Sequence, residues 1–328
     1  MSGVEAVGSV SEIEVRTPGR EAWRRLRKDR FALFFLGMFA AFFLIALGAQ
    51  VDVLLEGRGN PSYSKSLMEM GYAFEETHHP PTFEAFPLGI LGLDWNGRSV
   101  LLRVLQGARI AFMVGVLGAL CSIVIGMSLG LLAGFFGGWV DALVVYVYST
   151  VASIPYLLLM LALAFVLKQG DFARIYRESG LSGFLSLGLF NIVCVIGATS
   201  WVTLCRLVRG EVMKVRELDY VNAARCLGFG NLRILFRHIL PNVFHLVIIN
   251  FSLTFVIAIK SEVILTFLGV GVDKEPSWGQ MIAYAKNELM QGIWWPLASA
   301  GGLLFLLTLS VNYVGDALRD ALDPKLKH

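Results

Sequence analysis

The chain has 328 residues, of which 56% are hydrophobic and only 16% are charged, and its formal net charge is +3. This composition excludes an ordinary soluble domain and is typical of a protein that crosses the membrane several times. The small net charge gives no indication of nucleic-acid binding.

A membrane span needs roughly 20 mostly apolar residues, which is the length of a helix that crosses the hydrocarbon core. Six stretches of the chain meet this requirement, and we therefore predict an all-α membrane protein with six transmembrane helices. The predicted spans lie near residues 31–51, 110–134, 140–167, 184–205, 243–268 and 295–315.

The basic residues indicate how the chain is oriented. Arginine and lysine are concentrated in residues 1–30, in residues 206–242 between the fourth and fifth spans, and in the tail 316–328. Six spans place these three segments on one side of the membrane, which the positive-inside rule identifies as the cytoplasm. Both termini are therefore predicted to be cytoplasmic, and residues 52–109 are predicted to form an exterior loop.

The exterior loop contains Glu75, Glu76, His78 and His79, which are residue types that bind metals. Adjacent histidines cannot both ligate a metal from one helix face, and two prolines follow them directly. We therefore interpret the cluster as a solvated acidic loop. No pair of cysteines has CxxC spacing, so neither a zinc site nor a disulfide framework is predicted.

Three glycines of the second span, Gly126, Gly130 and Gly134, recur at four-residue intervals. Such a stripe allows another membrane helix to approach closely. The alternative explanation is the general abundance of glycine in membrane helices. The spacing alone does not separate the two explanations.

Residues 219–242 form an amphipathic, basic segment that is far longer than a turn between two spans needs to be. Ala223, Ala224 and Gly228 provide small surfaces for close helix contact, and Pro241 fits the start of the next helix better than its middle. The segment also contains apolar and basic side chains, namely Leu227, Phe229, Leu232, Leu235, Phe236, Arg225, Arg233 and Arg237. We predict a pair of short helices that contact a partner at the cytoplasmic face.

Two charged residues, Lys260 and Glu262, lie in the outer half of the fifth predicted span. A charge at the middle of the membrane costs about 2.5–3.5 kcal/mol on insertion scales, so such residues usually face a cavity or a partner. Residues two apart on a helix point in different directions and do not pair with each other. Either residue is a candidate for a polar pathway, and the alternative for Lys260 is that it snorkels towards the membrane surface.

The chain lacks the motifs of the common nucleotide-binding and metallopeptidase sites. It contains no Gly-Lys dipeptide, and therefore no P-loop, and it has neither an HExxH nor a GxGxxG pattern. We predict a non-catalytic membrane subunit without a cofactor.

The 219–242 segment resembles the EAA loop of ABC-importer permeases, whose pattern is Glu-Ala-Ala, three residues, Gly, nine residues and Ile-x-Leu-Pro. Asn222 stands where the family has glutamate, and His238 stands where it has isoleucine, as in the peptide permeases. The resemblance assigns ATPase coupling to Asn222, Ala223, Ala224, Arg225, Gly228, Arg237, His238, Leu240 and Pro241.

Four further segments resemble the C-type permeases of dipeptide, oligopeptide and nickel importers. Residues 23–31 resemble the N-terminal segment of that subfamily, and residues 87–110 resemble its PLGTDxxGRDVLSRLxxGARIS block, with a few extra residues between the halves. Residues 267–279 resemble the connection between the fifth and sixth spans, and residues 315–324 resemble the C-terminal signature.

This resemblance implies a type I ABC importer (MetI-like) permease fold in the inner membrane. The implied partners are a second permease subunit, two ABC ATPase subunits, an extracytoplasmic solute-binding protein and a peptide substrate. The implied regions are a cytoplasmic segment 1–30, a first transmembrane helix 31–51, an exterior loop 52–109, a permease core 110–315 that contains the coupling loop 206–242, and a cytoplasmic tail 316–328.

Three alternatives remain open at this point. The first is a membrane scaffold that recruits a cytoplasmic partner without transport, and the second is an importer of nickel or another small solute. The third is a secondary transporter, which would more often show inverted repeats and helices broken at the midplane of the membrane.

Overall fold

The computed structural model describes residues 29–56, 79–83, 89–169, 172–178, 180, 185–273 and 275–322. Their regular secondary structure is helical, apart from one isolated β-bridge between Leu93 and Ser99. The helices are α1 (Arg30–Glu56), α2 (Val100–Phe136), α3 (Gly138–Ser153), α4 (Tyr156–Lys168), α5 (Phe172–Glu178), α6 (Leu187–Val215), α7 (Asp219–Cys226), α8 (Asn231–Ile234), α9 (Leu240–Phe267), α10 (Trp278–Leu289) and α11 (Trp295–Leu322). Of the acidic cluster predicted in the exterior loop, Glu75, Glu76 and His78 lie outside the described residues.

Within that part of the chain, five helices are long and apolar enough to cross a membrane, and a sixth span results when the bent pair α3 and α4 is counted as one. This agrees with the predicted six spans. The pair is bent by 94° at Pro155, which lacks a backbone N–H and disfavours helical backbone at the preceding Ile154. Ile154 accordingly has extended backbone angles, with φ −89° and ψ 132°.

Helix α2 begins at Val100, so residues 100–109 are helical rather than part of the exterior loop. The prediction began this span too late because Arg103 and Arg109 interrupt the apolar run. Arg103 Nη1 donates to Asp94 Oδ2 at 2.6 Å, and Arg109 Nη2 lies 3.2 Å from Glu275 Oε2. Charges that are paired in this way tolerate burial, and the helix therefore continues beyond its hydrophobic stretch.

Helix α6 continues to Val215, ten residues beyond the predicted span end at residue 205. The basic residues near the end of α6 led to a predicted loop there, but their side chains contact α3. Arg209 Nη2 donates to Asp141 Oδ2 at 2.7 Å, and the guanidinium of Arg206 lies 4.8 Å from the ring centroid of Tyr148. The non-helical connection to α7 is therefore short.

The second of the two predicted short helices is not separate from the following span. Helix α8, a π-helical turn at Leu235–Ile239 and α9 run continuously from Asn231 to Phe267. At the end of the π turn, the N–H of Leu240 donates to the carbonyl of Leu235. This wider turn directly precedes Pro241, which has no N–H to donate, and allows the helix to continue through the proline.

Helix α2 is the central helix of the bundle and packs along both α6 and α9. Helices α1 and α11 cover another side of α2, around a cluster that includes Trp278 and Trp295. Trp278 Nε1 donates to the carbonyl of Val104 at 2.8 Å, and a Cβ at Gly107 would lie 2.4 Å from the Trp278 ring. The two resembling blocks at residues 87–110 and 267–279 therefore meet in space.

Candidate functional site

The 219–242 segment lies where α2 and α6 end and α9 begins. Within α7, Val221 and Ala224 are buried, and they belong to one apolar cluster with residues from the ends of α2 and α6 and from the α8–α9 helix. The other side of α7 is exposed and carries Asn222, Ala223 and Arg225. The helix is therefore attached to three spans by its inner face.

Gly228 ends α7 in a left-handed conformation, with φ +79°. Its N–H donates to the carbonyl of Arg225 at 2.9 Å, and the N–H of Phe229 donates to the carbonyl of Ala224 at 3.1 Å. These are the two bonds of a Schellman motif, which usually needs glycine at this position. Gly228 thus fixes the turn between α7 and α8.

The outer face of the segment combines large apolar side chains with arginines. Leu227, Leu232 and Phe236 are 73%, 64% and 59% exposed, and Arg225, Arg233 and Arg237 are exposed beside them. Exposed apolar groups clustered in this way usually mark a protein interaction site. This surface is hereafter called the outer face of the 219–242 segment.

Polar contacts within the segment hold its two halves together. Asn242 Nδ2 donates to Tyr220 Oη at 2.8 Å and to the carbonyl of His238 at 2.7 Å. Desolvation raises the pKa of the Tyr220 hydroxyl. Asn222, which stands where the family has glutamate, donates through Nδ2 to the carbonyl of Glu217 at 3.2 Å.

His238 and Leu240 are half-buried, whereas Pro241 is exposed in the first turn of α9. The ring of His238 stacks on the ring of Phe229, with centroids 6.0 Å apart. The guanidinium of Arg233 also lies over the Phe229 ring, 5.5 Å from its centroid. Leu240 packs against the same apolar cluster as α7. His238 and Leu240 therefore shape the segment from within, whereas Asn222, Ala223, Arg225, Gly228, Arg237 and Pro241 are exposed.

Lys260 and Glu262 have different surroundings, although both lie in α9. Lys260 is exposed on the helix surface, whereas Glu262 is only 1% exposed. Glu262 Oε1 accepts a hydrogen bond from Thr266 Oγ1 at 2.9 Å, and Ser277 hydrogen-bonds to the same carboxyl group. Glu262 therefore connects α9 to the start of α10, and the two charged residues do not meet.

The glycines of α2 face the backbone of α6. A Cβ at Gly126, Gly130 or Gly134 would lie 2.6, 2.8 and 2.8 Å from the carbonyl oxygens of Trp201, Cys205 and Arg209, respectively. Residues 126–130 also have the GxSxG spacing of a serine nucleophile. That motif requires a turn between a strand and a helix, whereas these residues lie inside α2.

A group of hydroxyls between α4, α6 and α9 was not predicted. Tyr156 Oη lies 3.0 Å from Ser200 Oγ and 3.2 Å from Ser261 Oγ. The three residues are far apart in the chain and are common residue types, so their spacing gives no signal. Tyr156 is 38% exposed, whereas Ser261 is buried.

Comparison with known protein families agrees with these features. Residues 126–328 match the family described as "Binding-protein-dependent transport system inner membrane component". Residues 17–53 match the family described as "N-terminal TM domain of oligopeptide transport permease C". The matched residues include the 219–242 segment.

The chain also has full-length relatives. It is 31% identical over 309 residues to the dipeptide transport system permease protein DppC of Bacillus subtilis (strain 168), covering 94% of this chain and 86% of that protein. It is 31% identical over 323 residues to the glutathione transport system permease protein GsiD of Pectobacterium atrosepticum, covering 97% and 95%. It is 36% identical over 240 residues to the di/tripeptide transport system permease protein DppC of Pseudomonas aeruginosa, covering 73% of each.

A solved structure of the MetNI methionine ABC transporter in inward-facing conformations is similar with a TM-score of 0.51 at 16% identity, covering 68% of this chain and 98% of that chain. At this identity the similarity concerns the fold alone, and it agrees with the predicted MetI-like arrangement. The chain belongs to the family of binding-protein-dependent transport system inner membrane components, and it is a multi-pass, non-catalytic permease subunit of an ABC importer.

Proposed function

We propose that the outer face of the 219–242 segment binds an ABC ATPase subunit in the cytoplasm and transmits its movement to the membrane helices. The observation that carries this proposal is the double attachment of the segment. Val221 and Ala224 hold α7 in the apolar cluster formed with α2 and α6, while α8 continues into α9 without a break. A force applied to α7 therefore acts on three spans at once.

The proposed coupling also has an energetic requirement. An ATPase shifts the permease between two conformations only if it binds one of them more tightly than the other. The segment supplies suitable contacts, because its apolar side chains and arginines are exposed on one face. Asn222, Ala223, Arg225, Gly228 and Arg237 are the residues through which this contact is proposed to form. His238 and Leu240 would support them from within, and Pro241 would fix the start of α9.

We further propose that a second permease subunit covers the exposed side of α3 and α4, so that the pathway lies between the two subunits. Of the sixteen residues of α3, only Val144 is buried. Lys260 and Tyr156 are both exposed and are proposed to line the pathway. Glu262 would affect the pathway indirectly, by holding the α9–α10 connection in place.

The proposed substrate is a peptide delivered by an extracytoplasmic solute-binding protein. This proposal is supported by the relatives, which are described as permeases for dipeptides, di- and tripeptides, oligopeptides and glutathione. In this arrangement residues 1–30, 206–242 and 316–328 face the cytoplasm, and residues 52–99 face the exterior. Both chain termini are then cytoplasmic.

Co-purification tests the proposed function. The tagged chain, co-expressed with the second permease and the ATPases of its transport system, is expected to retain both ATPases after detergent extraction. In proteoliposomes, peptide with its binding protein should stimulate ATP hydrolysis severalfold. Retained ATPases without peptide-stimulated hydrolysis or uptake would support the scaffold alternative, and failure to retain the ATPases would contradict the proposal.

A further inference from the structure

A cavity of about 310 Å³ lies at the start of α6, whereas the 219–242 segment follows the other end of that helix. Its side chains and backbone come from four separate parts of the chain: the end of α4, helix α5, the start of α6 and the connection between α9 and α10. The residues that line it include Lys168, Asn191, Gly188 and Asp273. The mechanism proposed above gives this cavity no role.

The first notable group in the cavity is a buried amide. Asn191 is 2% exposed, and its Nδ2 donates to the carbonyl of Ala164 at 3.0 Å. Its Oδ1 has no hydrogen-bond partner among the described residues. A buried polar atom without a partner is costly, so this oxygen indicates a place for an N–H donor that the described residues do not supply.

The second feature is the N-terminus of α6, a helix of 29 residues. Ser186 caps the N–H of Leu189, whereas the amides of Leu187 and Gly188 precede the first intrahelical bonds and line the cavity. A helix N-terminus attracts carboxylates through these amides and through the helix dipole. A Cβ at Gly188 would lie 3.2 Å from Val272 Cα, so the α9–α10 connection lies directly over this helix end.

The third feature is the charge balance. The charged side chains that line the cavity in the described part of the chain are Lys168 and Asp273, which lie 2.7 Å apart as an ion pair. Lys168 also donates to the carbonyl of Gly269 at 3.3 Å. The pair places one positive and one negative group side by side, and these can contact the two oppositely charged ends of a zwitterion.

We infer that this cavity binds a small zwitterionic peptide in the permease itself, on the exterior side. The ammonium group of the ligand lies between Asp273 and Asn191 Oδ1, and its carboxylate lies at the amides of α6 beside Lys168. On binding, the ligand replaces the ion pair between Lys168 and Asp273 with two ion pairs, one to each of these side chains. Its ammonium group also donates a hydrogen bond to Asn191 Oδ1. The volume is at the lower end of the roughly 300–1,000 Å³ of small-molecule sites, which fits a dipeptide of small residues.

This inference rests on the proposed function, because it names a site for the same substrate class in the subunit that receives it. The test uses the purified full-length chain in lipid nanodiscs and the dipeptide Ala-Ala, with binding measured by titration calorimetry. Ala-Ala is expected to bind, and both N-acetyl-Ala-Ala and Ala-Ala amide are expected to bind at least about tenfold more weakly, since each lacks one charged partner.

Two variants separate binding from folding. Asn191→Leu should weaken Ala-Ala binding by about tenfold, whereas the matched change Asn250→Leu should leave it unchanged, because Asn250 is a buried asparagine of α9 that bonds to Thr254 instead. Asp273→Asn changes an exposed side chain and should reverse the preference for free Ala-Ala over N-acetyl-Ala-Ala. Lys168 then lacks its acidic partner, so anionic N-acetyl-Ala-Ala should bind more tightly than Ala-Ala.

Equal affinity for free and blocked dipeptides, or equal effects of Asn191→Leu and Asn250→Leu, would overturn the inference. ATPase retention is tested in parallel on the chain co-expressed with the second permease and the ATPases, which distinguishes the two proposals. A chain that retains the ATPases but does not bind Ala-Ala refutes the cavity site and leaves the proposed function standing. A chain that binds Ala-Ala selectively but retains no ATPase supports the cavity site and contradicts the coupling.

Discussion

Replacing Gly228 with valine is expected to reduce peptide uptake at least tenfold while the chain remains in the membrane at its normal level. Gly228 has a φ of +79°, and a left-handed backbone costs an L-residue roughly 1–2 kcal/mol, with β-branched residues least able to adopt it. A Cβ at this position would meet nothing within 4 Å. The damage is therefore confined to the turn, which opens and displaces α7 relative to α8.

The measurement is uptake of labelled Ala-Ala together with the membrane level of the chain by immunoblot. Gly230→Ser is the matched control, because Gly230 has a φ of −66° at the N-cap of α8 and serine is a favourable N-cap residue. Gly228→Asn should be intermediate, since asparagine tolerates the left-handed region. Normal uptake by Gly228→Val, or equal loss in Gly230→Ser, would contradict a coupling role for the turn.

Replacing Gly130 with leucine is expected to destabilise the bundle by about 3 kcal/mol, at the upper end of the usual effect of overpacking. A Cβ there would lie 2.8 Å from the carbonyl oxygen of Cys205 and 2.9 Å from Val208 Cβ. Backbone atoms cannot move aside like a flexible side chain, so α2 and α6 must separate. Because these two helices form the principal contact of the bundle, the loss extends to both the cavity and the 219–242 segment.

Heating followed by fluorescence-detected size-exclusion chromatography measures this effect as a lower temperature at which the folded peak is lost. Gly210→Leu is the matched control in α6, where a Cβ would meet nothing within 4 Å. Its melting temperature should remain near that of the unmodified chain. If Gly130→Leu melts no lower than Gly210→Leu, the glycine stripe does not support close helix packing.

Local sequence features were sufficient for much of the fold. The apolar runs predicted six spans, because each run is a local feature of the sequence. The bend at Pro155 has an equally local cause. The amphipathic pattern also located the 219–242 segment and its exposed side chains. The sequence singled out Gly228 by its distance from the Ala223-Ala224 pair. Its positive φ and the Schellman turn became apparent only in the structure.

Long-range contacts explain what the sequence did not predict. Helix α2 continues through Arg103 because Asp94 pairs with it, and α6 continues through Arg209 because Asp141 lies on a neighbouring helix. Hydropathy treats each arginine as unpaired and ends the span too early. The sequence did not predict the cavity at the start of α6 for the same reason. Lys168, Asn191 and Asp273 come together only through the packing of three spans.

Cysteine labelling tests the cytoplasmic coupling role most directly. Cys226 is the last residue of α7 and is an exposed free thiol. A membrane-impermeant maleimide should label it in inside-out vesicles but not in right-side-out vesicles, and bound ATPase subunits should protect it, with Cys226→Ser reporting the background from the other cysteines. Labelling of Cys226 from the exterior side, or full labelling in the presence of bound ATPases, would contradict the account.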